Sequence, residues 1–442
     1  MPGTLSLAEM GILLWLHLHG GSAMKKQISG ALTLALTMAS ATFLIGATQG
    51  TANAAPVATK FAYGASGYGT LLRGGQVPAG SDMTAFKPLG CTNLAGVTKE
   101  NHEAASPLGG FGQVSGVATK VWTTKVGNVY SSWARNTIAS VSLGDPSLGV
   151  IAITGLASRS RAFHNATGFH ATTHTTVAKI TFAPAGMDPQ VIDIPNPGQP
   201  VEIPGVARIS LGTTFTQEGA TGAQARANAL KVELLLSGTT LTVGHSQATI
   251  AGGITHGLFV AKSYATKLNA LDANLTSGPT PLTVMPCQGT NGIVRSKKIA
   301  SVNLGGQIVV GAVTSSQMGK QTDNVATGWE KATVARVNLG GGQLIITGIV
   351  GRASATRSGA TLKTNATGTT IGQILAGGQV MTFPDTDVIE IPGLVRLEQN
   401  IITKGKLGIK VVALRITLLD GTGAVIDLGR AQIAIKRARL VD

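Results

Sequence analysis

Aromatic and charged residues are scarce in this sequence. Phe, Trp and Tyr make up 4% of the 442 residues, and Asp, Glu, Lys and Arg make up 12%, against about 25% charged residues in an average globular protein. Hydrophobic residues still account for 43%, so the chain can bury a core and is not a disordered polymer. The low aromatic content argues against an outer-envelope β-barrel pore, because such barrels carry aromatic girdles.

The motifs of common enzymes are also missing. There is no close carboxylate pair, nucleophile elbow, P-loop or HExxH motif. The basic residues are scattered, without a dense stripe interleaved with aromatic residues, so nucleic-acid binding is not expected. We therefore expect a protein that is not an enzyme, with no catalytic residue, no cofactor and no metal.

The N-terminal region has the pattern of a secretion signal. Residues 24–54 start with the basic pair Lys25 and Lys26, continue as an apolar run and end in the small residues Ala52-Asn53-Ala54. The apolar run is shorter than the ~20 residues that span a bilayer. We predict a cleaved signal peptide at 24–54, preceded by an upstream start-site artefact at 1–23. Without residues 1–54, 33 basic and 19 acidic residues remain, a formal net charge of +14.

The rest of the chain contains a long internal repeat. Tyr68, Cys91 and Trp133 recur 196 residues later as Tyr264, Cys287 and Trp329, and EIPGVAR from Glu202 recurs as EIPGLVR from Glu390. A period this long indicates a duplicated domain and not a solenoid. We predict one repeat at 55–255 and a second at 256–442.

The repeated strands predict the fold class. Alternate positions agree between the copies at Thr137, Ala139, Val141 and Leu143, which match Thr333, Ala335, Val337 and Leu339. Side chains alternate across a strand, so these positions are expected to face the core. Many similar runs punctuated by Gly, Pro, Asn or Asp predict an all-β protein of two antiparallel, jelly-roll-like β-sandwich domains. One stretch, residues 216–230, is rich in Ala, Gln and Arg and is predicted to be helical.

Cys91 and Cys287 are the only cysteines and occupy equivalent positions in the two copies. Two cysteines in an oxidising compartment usually pair. A bridge requires the two positions to meet between the copies, since bonded Cα atoms lie about 4.4 to 6.8 Å apart. We predict this disulfide; the alternative is a pair of free or intermolecular thiols.

Three histidines, His164, His170 and His174, lie within eleven residues. Their spacing matches no standard zinc site, so histidines flanking a turn are expected and no metal. The turn itself is the duplicated NATG at Asn165 and Asn365. Together with Asn274-Leu275-Thr276 it also fits the N-glycosylation pattern.

Three duplicated pairs are candidates for a binding site. Arg159 with Arg352, and Glu202 with Glu390, could form a site in each copy or a structural ion pair. Trp133 and Trp329 could stack on carbohydrate or pack in the core or at a strand edge. A cleft holding one of these tryptophans beside Glu202 or Glu390 would favour a carbohydrate-active protein.

The segments IPGVARISL and IPGLVRLEQ, with NALKVELLLSGTTLTVGHSQATI and VALRITLLDGTGAVIDLGRAQIAI, resemble a family of secreted actinobacterial proteins called choice-of-anchor P. The resemblance covers most of the predicted mature chain, once per copy. It implies attachment to the cell surface through varied C-terminal anchors and no particular activity. This sequence ends in AIKRARLVD, without a sorting motif like LPxTG or an apolar tail, so covalent anchoring is not expected.

These observations predict an extracellular protein, secreted or non-covalently associated with the cell surface. The preferred function is a non-enzymatic structural or binding protein of the bacterial envelope. The alternatives are a carbohydrate-binding or carbohydrate-active protein and, less favoured, the β-barrel pore. Its basic charge suits anionic cell-wall polymers or polysaccharide as partners.

Overall fold

Strands make up nearly the whole described chain. The computed structural model describes these residues: 55–73, 83–108, 111–145, 149–196, 198–236, 238–269, 276–304 and 308–439. The predicted start-site artefact and signal peptide lie outside the described residues, as does Asn274 of one predicted glycosylation motif.

The described residues form thirty strands and one short 3-10 helix. The strands up to residue 251 are β1 Val57–Arg73, β2 Lys87–Pro88, β3 Thr92–Ala95, β4 Thr98–Pro107, β5 Gly112–Val126, β6 Val129–Asp145, β7 Gly149–Asn165, β8 Gly168–Thr176, β9 Lys179–Ala183, β10 Gln190–Ile192, β11 Val201–Ile203, β12 Ala207–Leu211, β13 Thr214–Gly219, β14 Gly222–Leu234 and β15 Thr239–Ala251. The later elements are β16 Gly257–Asn269, β17 Thr276–Val284, β18 Arg295–Ile299, β19 Val302–Asn303, β20 Ile308–Val310, β21 Val313–Gln321, β22 Val325–Leu339, the helix η1 Gly340–Gly342, β23 Leu344–Ser358, β24 Thr361–Asn365, β25 Ile374–Ala376, β26 Gln379–Met381, β27 Val388–Ile391, β28 Val395–Gly405, β29 Gly408–Leu418 and β30 Val425–Arg437.

These strands form four antiparallel sheets in the described ranges. The first has the order β11-β12-β14-β15-β1-β2, the second β10-β9-β7-β6-β5-β4, the third β17-β16-β30-β29-β28-β27 and the fourth β18-β21-β22-β23-β25-β26. The first and second sheets share one core, and so do the third and fourth. The expected all-β sandwich class is therefore confirmed. The strands follow one another mainly as meanders within each sheet and do not alternate between sheets as in a jelly roll.

The two halves use their strands in the same order. In each half the first strand pairs with the last, β1 with β15 and β16 with β30. β22 and β23 pair as a hairpin joined by η1. Descent of the halves from one duplicated segment, and the boundary between residues 255 and 256, stay predictions from the sequence.

The helix predicted at residues 216–230 is wrong. This stretch forms β13 and β14, a hairpin that turns between Gly219 and Gly222. Ala223, Ala225 and Ala227 alternate on the buried face of β14. Helix propensity is a weak preference, and burial of small side chains against the opposite sheet overrides it here.

The alternation predicted for residues 137–143 holds only at its C-terminal end. Val141 and Leu143 are buried as expected, but Ala139 is exposed and Thr137 is half-buried. Ile138 faces the core in their place. The inward-facing side chains therefore change from even to odd positions partway along β6.

The same change occurs at the repeated strand in the second half. Val337 and Leu339 are buried, whereas Ala335 is exposed and Thr333 is half-buried. The prediction that these four residues share one buried face is corrected in the same way.

Glycines in the left-handed conformation cause this change of face. In β5, Ser115 pairs with Ser140 and Val117 pairs with Ile138, which places Gly116, at a φ of 60°, opposite Ala139 without a shift of register. A Cβ on Gly116 would lie only 2.6 Å from the Cβ of Ala139 on β6, so a larger residue is excluded by space as well as by φ. Comparable glycines, with φ from 63° to 66°, lie at positions 155, 244, 348 and 429.

The apolar core of each sandwich is divided by a layer of polar side chains. In the first half Asn136 donates to Thr119, and Ser160 bonds Ser246 at 2.9 Å between the two sheets. These residues separate an apolar cluster around Tyr63 from a larger one. Because buried polar groups cost free energy unless they are hydrogen-bonded, such a layer fixes how the two sheets align.

The polar layer of the second half contains a fully buried carboxyl group, Glu330. Ser263 donates to its Oε2 at 2.7 Å and also bonds Thr283. Burial raises the pKa of Glu330 from 4.5 to about 9, and the Ser263 hydrogen bond lowers it by less. Glu330 is therefore protonated at neutral pH.

Replacing Glu330 by Gln should change how stability depends on pH. Between pH 4.5 and about 9 the unfolded chain has lost this proton and the folded chain has kept it. The wild-type free energy of unfolding should therefore fall with rising pH, by up to about 1.4 kcal/mol per unit from this group. E330Q should lack that component, so its stability relative to wild type should rise with pH. Urea unfolding at several pH values measures this, with the exposed Glu202→Gln as control. Parallel curves for E330Q and wild type would refute the assignment.

Cys91 and Cys287 form a disulfide between the two halves, with their Cα atoms 5.4 Å apart. The predicted bridge is thus present. It lies in a small apolar cluster with Ala62, Leu258 and Ala438. The end of β30 supports the same junction, because the ammonium group of Lys436 donates to the backbone oxygen of Cys91.

The double variant Cys91→Ser/Cys287→Ser should be less stable than the oxidised wild type. The bridge spans 196 residues, and chain-entropy arguments for a loop of that length give an upper estimate of about 5 kcal/mol. Thermal and denaturant unfolding measure the loss, with fully reduced wild type as the control that should behave like the variant. Equal midpoints for the variant and the oxidised wild type would show that the bridge does not contribute.

Candidate functional site

A concavity of about 420 Å³ lies on the second sheet, on strands β5, β6 and β7. Its lining consists of Trp122, Thr124, Val126, Val129, Ser131, Trp133, Arg159 and Arg161. We call the four large side chains of this lining, those of Trp122, Trp133, Arg159 and Arg161, the Trp–Arg face. Sequence reasoning had singled out Trp133 and Arg159 separately, and the structure brings them together.

A tight turn between β5 and β6 sets the alignment of this face. Val126 pairs with Val129 across the two-residue loop Gly127-Asn128, and Gly127 has a φ of 55°. Two-residue loops that begin with such a glycine are typical of β-hairpins. Counting back from this loop, Trp122 comes to lie directly opposite Trp133.

The side chains of the Trp–Arg face stack on one another. The Trp122 and Trp133 ring centroids are 5.5 Å apart, and the rings are nearly parallel at 7°. The guanidinium carbons of Arg159 and Arg161 lie 4.2 Å and 4.6 Å from the centroid of Trp133. Arg161 also lies 4.1 Å from the ring centroid of Phe163. Cation–π contacts of this kind hold guanidinium groups in place while their edges stay available for hydrogen bonds.

The described residues supply no acidic partner for either guanidinium group. Neither Arg159 nor Arg161 forms an ion pair in the part of the chain that is described. Arg161 donates through Nε and Nη2 to the hydroxyl of Ser131, at 3.3 Å and 3.1 Å. Burial, and then the nearby charge of Arg159, lower the pKa of Arg161. The face therefore carries two like charges close together, and none of the residues in the described ranges balances them.

Further basic residues continue from the face along the same sheet. Arg135 is exposed and stands directly opposite Arg159 in the register. Lys120, on the other side of Arg135, forms an ion pair with Glu100. The positive charge thus crosses β5, β6 and β7.

The corresponding surface of the second half has only one tryptophan and one arginine at the described positions. Arg352 lies 5.6 Å from the ring centroid of Trp329, in a looser version of the Arg159–Trp133 contact. Met318 stands opposite Trp329 where Trp122 stands opposite Trp133, and Ser354 takes the place of Arg161. The duplicated Trp and Arg are therefore neighbours in both halves, but only the first half has the paired indoles and the second guanidinium.

The duplicated glutamates lie away from these faces. Glu202 is on β11 in the first sheet and forms an ion pair with Arg208 at 3.2 Å. Glu390, on β27 of the third sheet, stands opposite Arg396 on β28. No described residue pairing places either one beside Trp133 or Trp329, so the cleft that would favour a carbohydrate-active protein is not found in the described ranges.

The three clustered histidines have separate surroundings. His164 packs between Phe61 and Phe169, with ring centroids 4.6 Å away in each case. Burial, then the charges of Lys60 and His170, lower its pKa. His174 stands opposite Arg159. No group of three or more potential metal ligands occurs among the residues that the structure describes.

His170 fixes the duplicated turn. Its Nε2 lies 2.8 Å from the hydroxyl of Thr167, and its Nδ1 lies 3.4 Å from a carboxylate oxygen of Glu218. This order of groups is that of a catalytic triad. However, Asn165 Oδ1 lies 2.8 Å from the Thr167 hydroxyl and 3.1 Å from His170 Nε2, so both groups take part in the hydrogen bonds that hold the turn. Asn165 also accepts from the Thr167 backbone, and Asn365 does the same in its own turn, which confirms the expected turns.

Comparisons with known proteins add no identification. No family model matches the chain, and no curated protein matches it. The similarity to choice-of-anchor P proteins therefore stays a prediction. Within the described ranges, no helix is long and apolar enough to cross a membrane.

The stacked indoles should give a spectroscopic signal. Two indoles with centroids 5.5 Å apart perturb each other's electronic transitions, so near-UV circular dichroism should contain a contribution from the contact of Trp122 with Trp133. Trp122→Phe should change this tryptophan signal by more than the loss of one indole, and Trp329→Phe should not, because Met318 faces that indole. Equal changes in the two variants would show that the pair is not stacked in solution.

Proposed function

We propose that this protein is a secreted, non-enzymatic binding protein of the cell envelope or extracellular space, and that its Trp–Arg face binds polysaccharide. The predicted signal peptide and the Cys91–Cys287 disulfide support an extracellular location, because disulfides persist in oxidising compartments. The proposal does not depend on membership of a family.

The composition of the concavity carries this proposal. Trp122 offers an indole N–H that has no hydrogen-bond acceptor among the described residues, and the two arginines offer further N–H groups. Val126 and Val129 add apolar surface beside these donors. A ligand that suits this lining is rich in oxygen acceptors and also has apolar C–H surface. Sugars have both properties.

The stacking also favours binding by reducing its entropic cost. Immobilising a flexible side chain at an interface costs about 0.5 to 1.5 kcal/mol. Arg161 is already held between Trp133 and Phe163 and by Ser131. A ligand therefore meets donors that are fixed before it arrives.

The alternative of a carbohydrate-active enzyme receives less support. Glycoside hydrolysis uses two carboxylates on either side of the scissile bond. The described lining consists of Trp, Arg, Thr, Ser and Val, which suits binding and supplies no such pair.

Affinity electrophoresis in gels containing a soluble polysaccharide tests this function. A panel of neutral and acidic polysaccharides should include at least one that retards the wild-type protein. Trp122→Ala/Trp133→Ala should lose at least about tenfold in affinity, equivalent to about 1.4 kcal/mol. Trp329→Ala, the matched substitution in the second half, should be retarded like wild type.

Two results would refute the proposal. One is that no polysaccharide retards the wild type. The other is that the double variant migrates like W329A although its thermal midpoint shows that it is folded.

A further inference from the structure

We propose that the Trp–Arg face recognises carboxylate groups, and that its ligand is an acidic polysaccharide built from uronic acids. This inference rests on the proposed polysaccharide-binding function and makes it more specific. It follows from the two guanidinium groups and not from the indoles.

The first argument is electrostatic. Arg159 and Arg161 both lie within 5 Å of the centroid of Trp133 and carry like charges without a carboxylate partner in the described chain. By contrast, Arg208, Arg396 and Arg415 each pair with a carboxylate. Burial, and after it the adjacent charge of Arg159, lowers the pKa of Arg161. An anion on this face would relieve the repulsion, whereas a neutral sugar would leave it in place.

The second argument is geometric. Arg161 uses Nε and Nη2 on Ser131, which leaves Nη1 without an acceptor among the described residues. Arg159 stacks on Trp133 and has no hydrogen-bond acceptor within the described ranges. Guanidinium edges present N–H pairs that match the two oxygens of a carboxylate. The ring of a uronic acid then comes to lie over the apolar surface beside the arginines.

The third argument concerns the length of the ligand. Arg135 continues the positive surface on β6, directly opposite Arg159 on β7. Neighbouring strands lie about 4.8 Å apart, so Arg135 adds a further positive charge about one strand spacing from Arg159. A polymer with one carboxylate per sugar can contact Arg135 and the Trp–Arg face with different carboxylates, which a single small anion cannot do.

Fluorescence titration of the full protein provides the test. Trp329→Phe serves as background, so that the remaining described tryptophans are those of the Trp–Arg face. The probes are polygalacturonate and dextran of matched length. Polygalacturonate should change the emission with at least about tenfold higher affinity than dextran, and raising the salt from about 50 to 200 mM should weaken its binding severalfold.

Arginine variants separate charge from shape. Arg159→Gln/Arg161→Gln should weaken polygalacturonate binding at least about tenfold. Arg159→Lys/Arg161→Lys keeps the charge but removes the planar donors, so it should lose severalfold and remain sensitive to salt. Arg352→Gln, the matched change in the second half, should bind like the background protein. Each variant is used only if its thermal midpoint is close to that of the background protein.

The possible outcomes distinguish this inference from the function on which it rests. Equal binding of dextran and polygalacturonate, or full affinity in the glutamine variant, would overturn the inference and leave polysaccharide binding intact. Preference for a polyphosphate chain over polygalacturonate would also overturn it. Failure of both sugars and of the wider panel would overturn the proposed function as well.

Discussion

Each sandwich depends on a row of residues at which its long strands change the face that they turn inward. Without the shift at Ala139, strand β6 would turn Ser140 and Ser142 to the core, in place of Val141 and Leu143. Without the shift beside Gly348, strand β22 would turn Arg336 and Asn338 inward. Beyond such a residue every side chain turns to the other face. Here that reversal brings Val141 and Leu143 of β6, and Val337 and Leu339 of β22, into the core. The left-handed φ of these glycines makes the reversal possible, and at Gly116 the Cβ of Ala139 also leaves no room for a side chain.

The sequence predicted the class of the fold and much of its detail. Strand content and the disulfide partners followed from composition, turn residues and the positions shared by the repeats. The inward face of residues 137–143 was half wrong, because period-two reasoning assumes an uninterrupted pleat. A glycine at 116 or 155 inside an apolar run was the available sign of an irregularity. The prediction of a helix at 216–230 was wrong for a related reason. It rested on the content of Ala, Gln and Arg, whereas the alanines at 223, 225 and 227 recur at every second position, which is the spacing of a strand.

The candidate site shows where sequence reasoning stops. Trp133 and Arg159 were found because both recur in the second half, yet their contact depends on strand register. Trp122 was missed because Met318 takes its place in the other copy, and a search for shared residues passes over it. The signal was nevertheless present. The Gly127-Asn128 loop fixes the hairpin register, and counting four residues back from Val126 and forward from Val129 places the two tryptophans opposite each other. The missing counter-charge of Arg159 and Arg161 could not be seen in this way, because it depends on which carboxylates the fold brings near.

The pairing of the first and last strands within each half has a consequence for how further domains can be added to such a chain. Because β15 ends beside β1, and β16 begins directly after it, only residues 252–256 are needed to pass from one half to the next. A domain whose first and last strands are neighbours has its two termini at nearby strands. Such domains suit a tandem arrangement, because a short linker joins them without breaking the hydrogen bonds between the paired strands. An array of such units could then vary the outer surface of each member independently, as the unequal tryptophan surroundings in the two halves already illustrate.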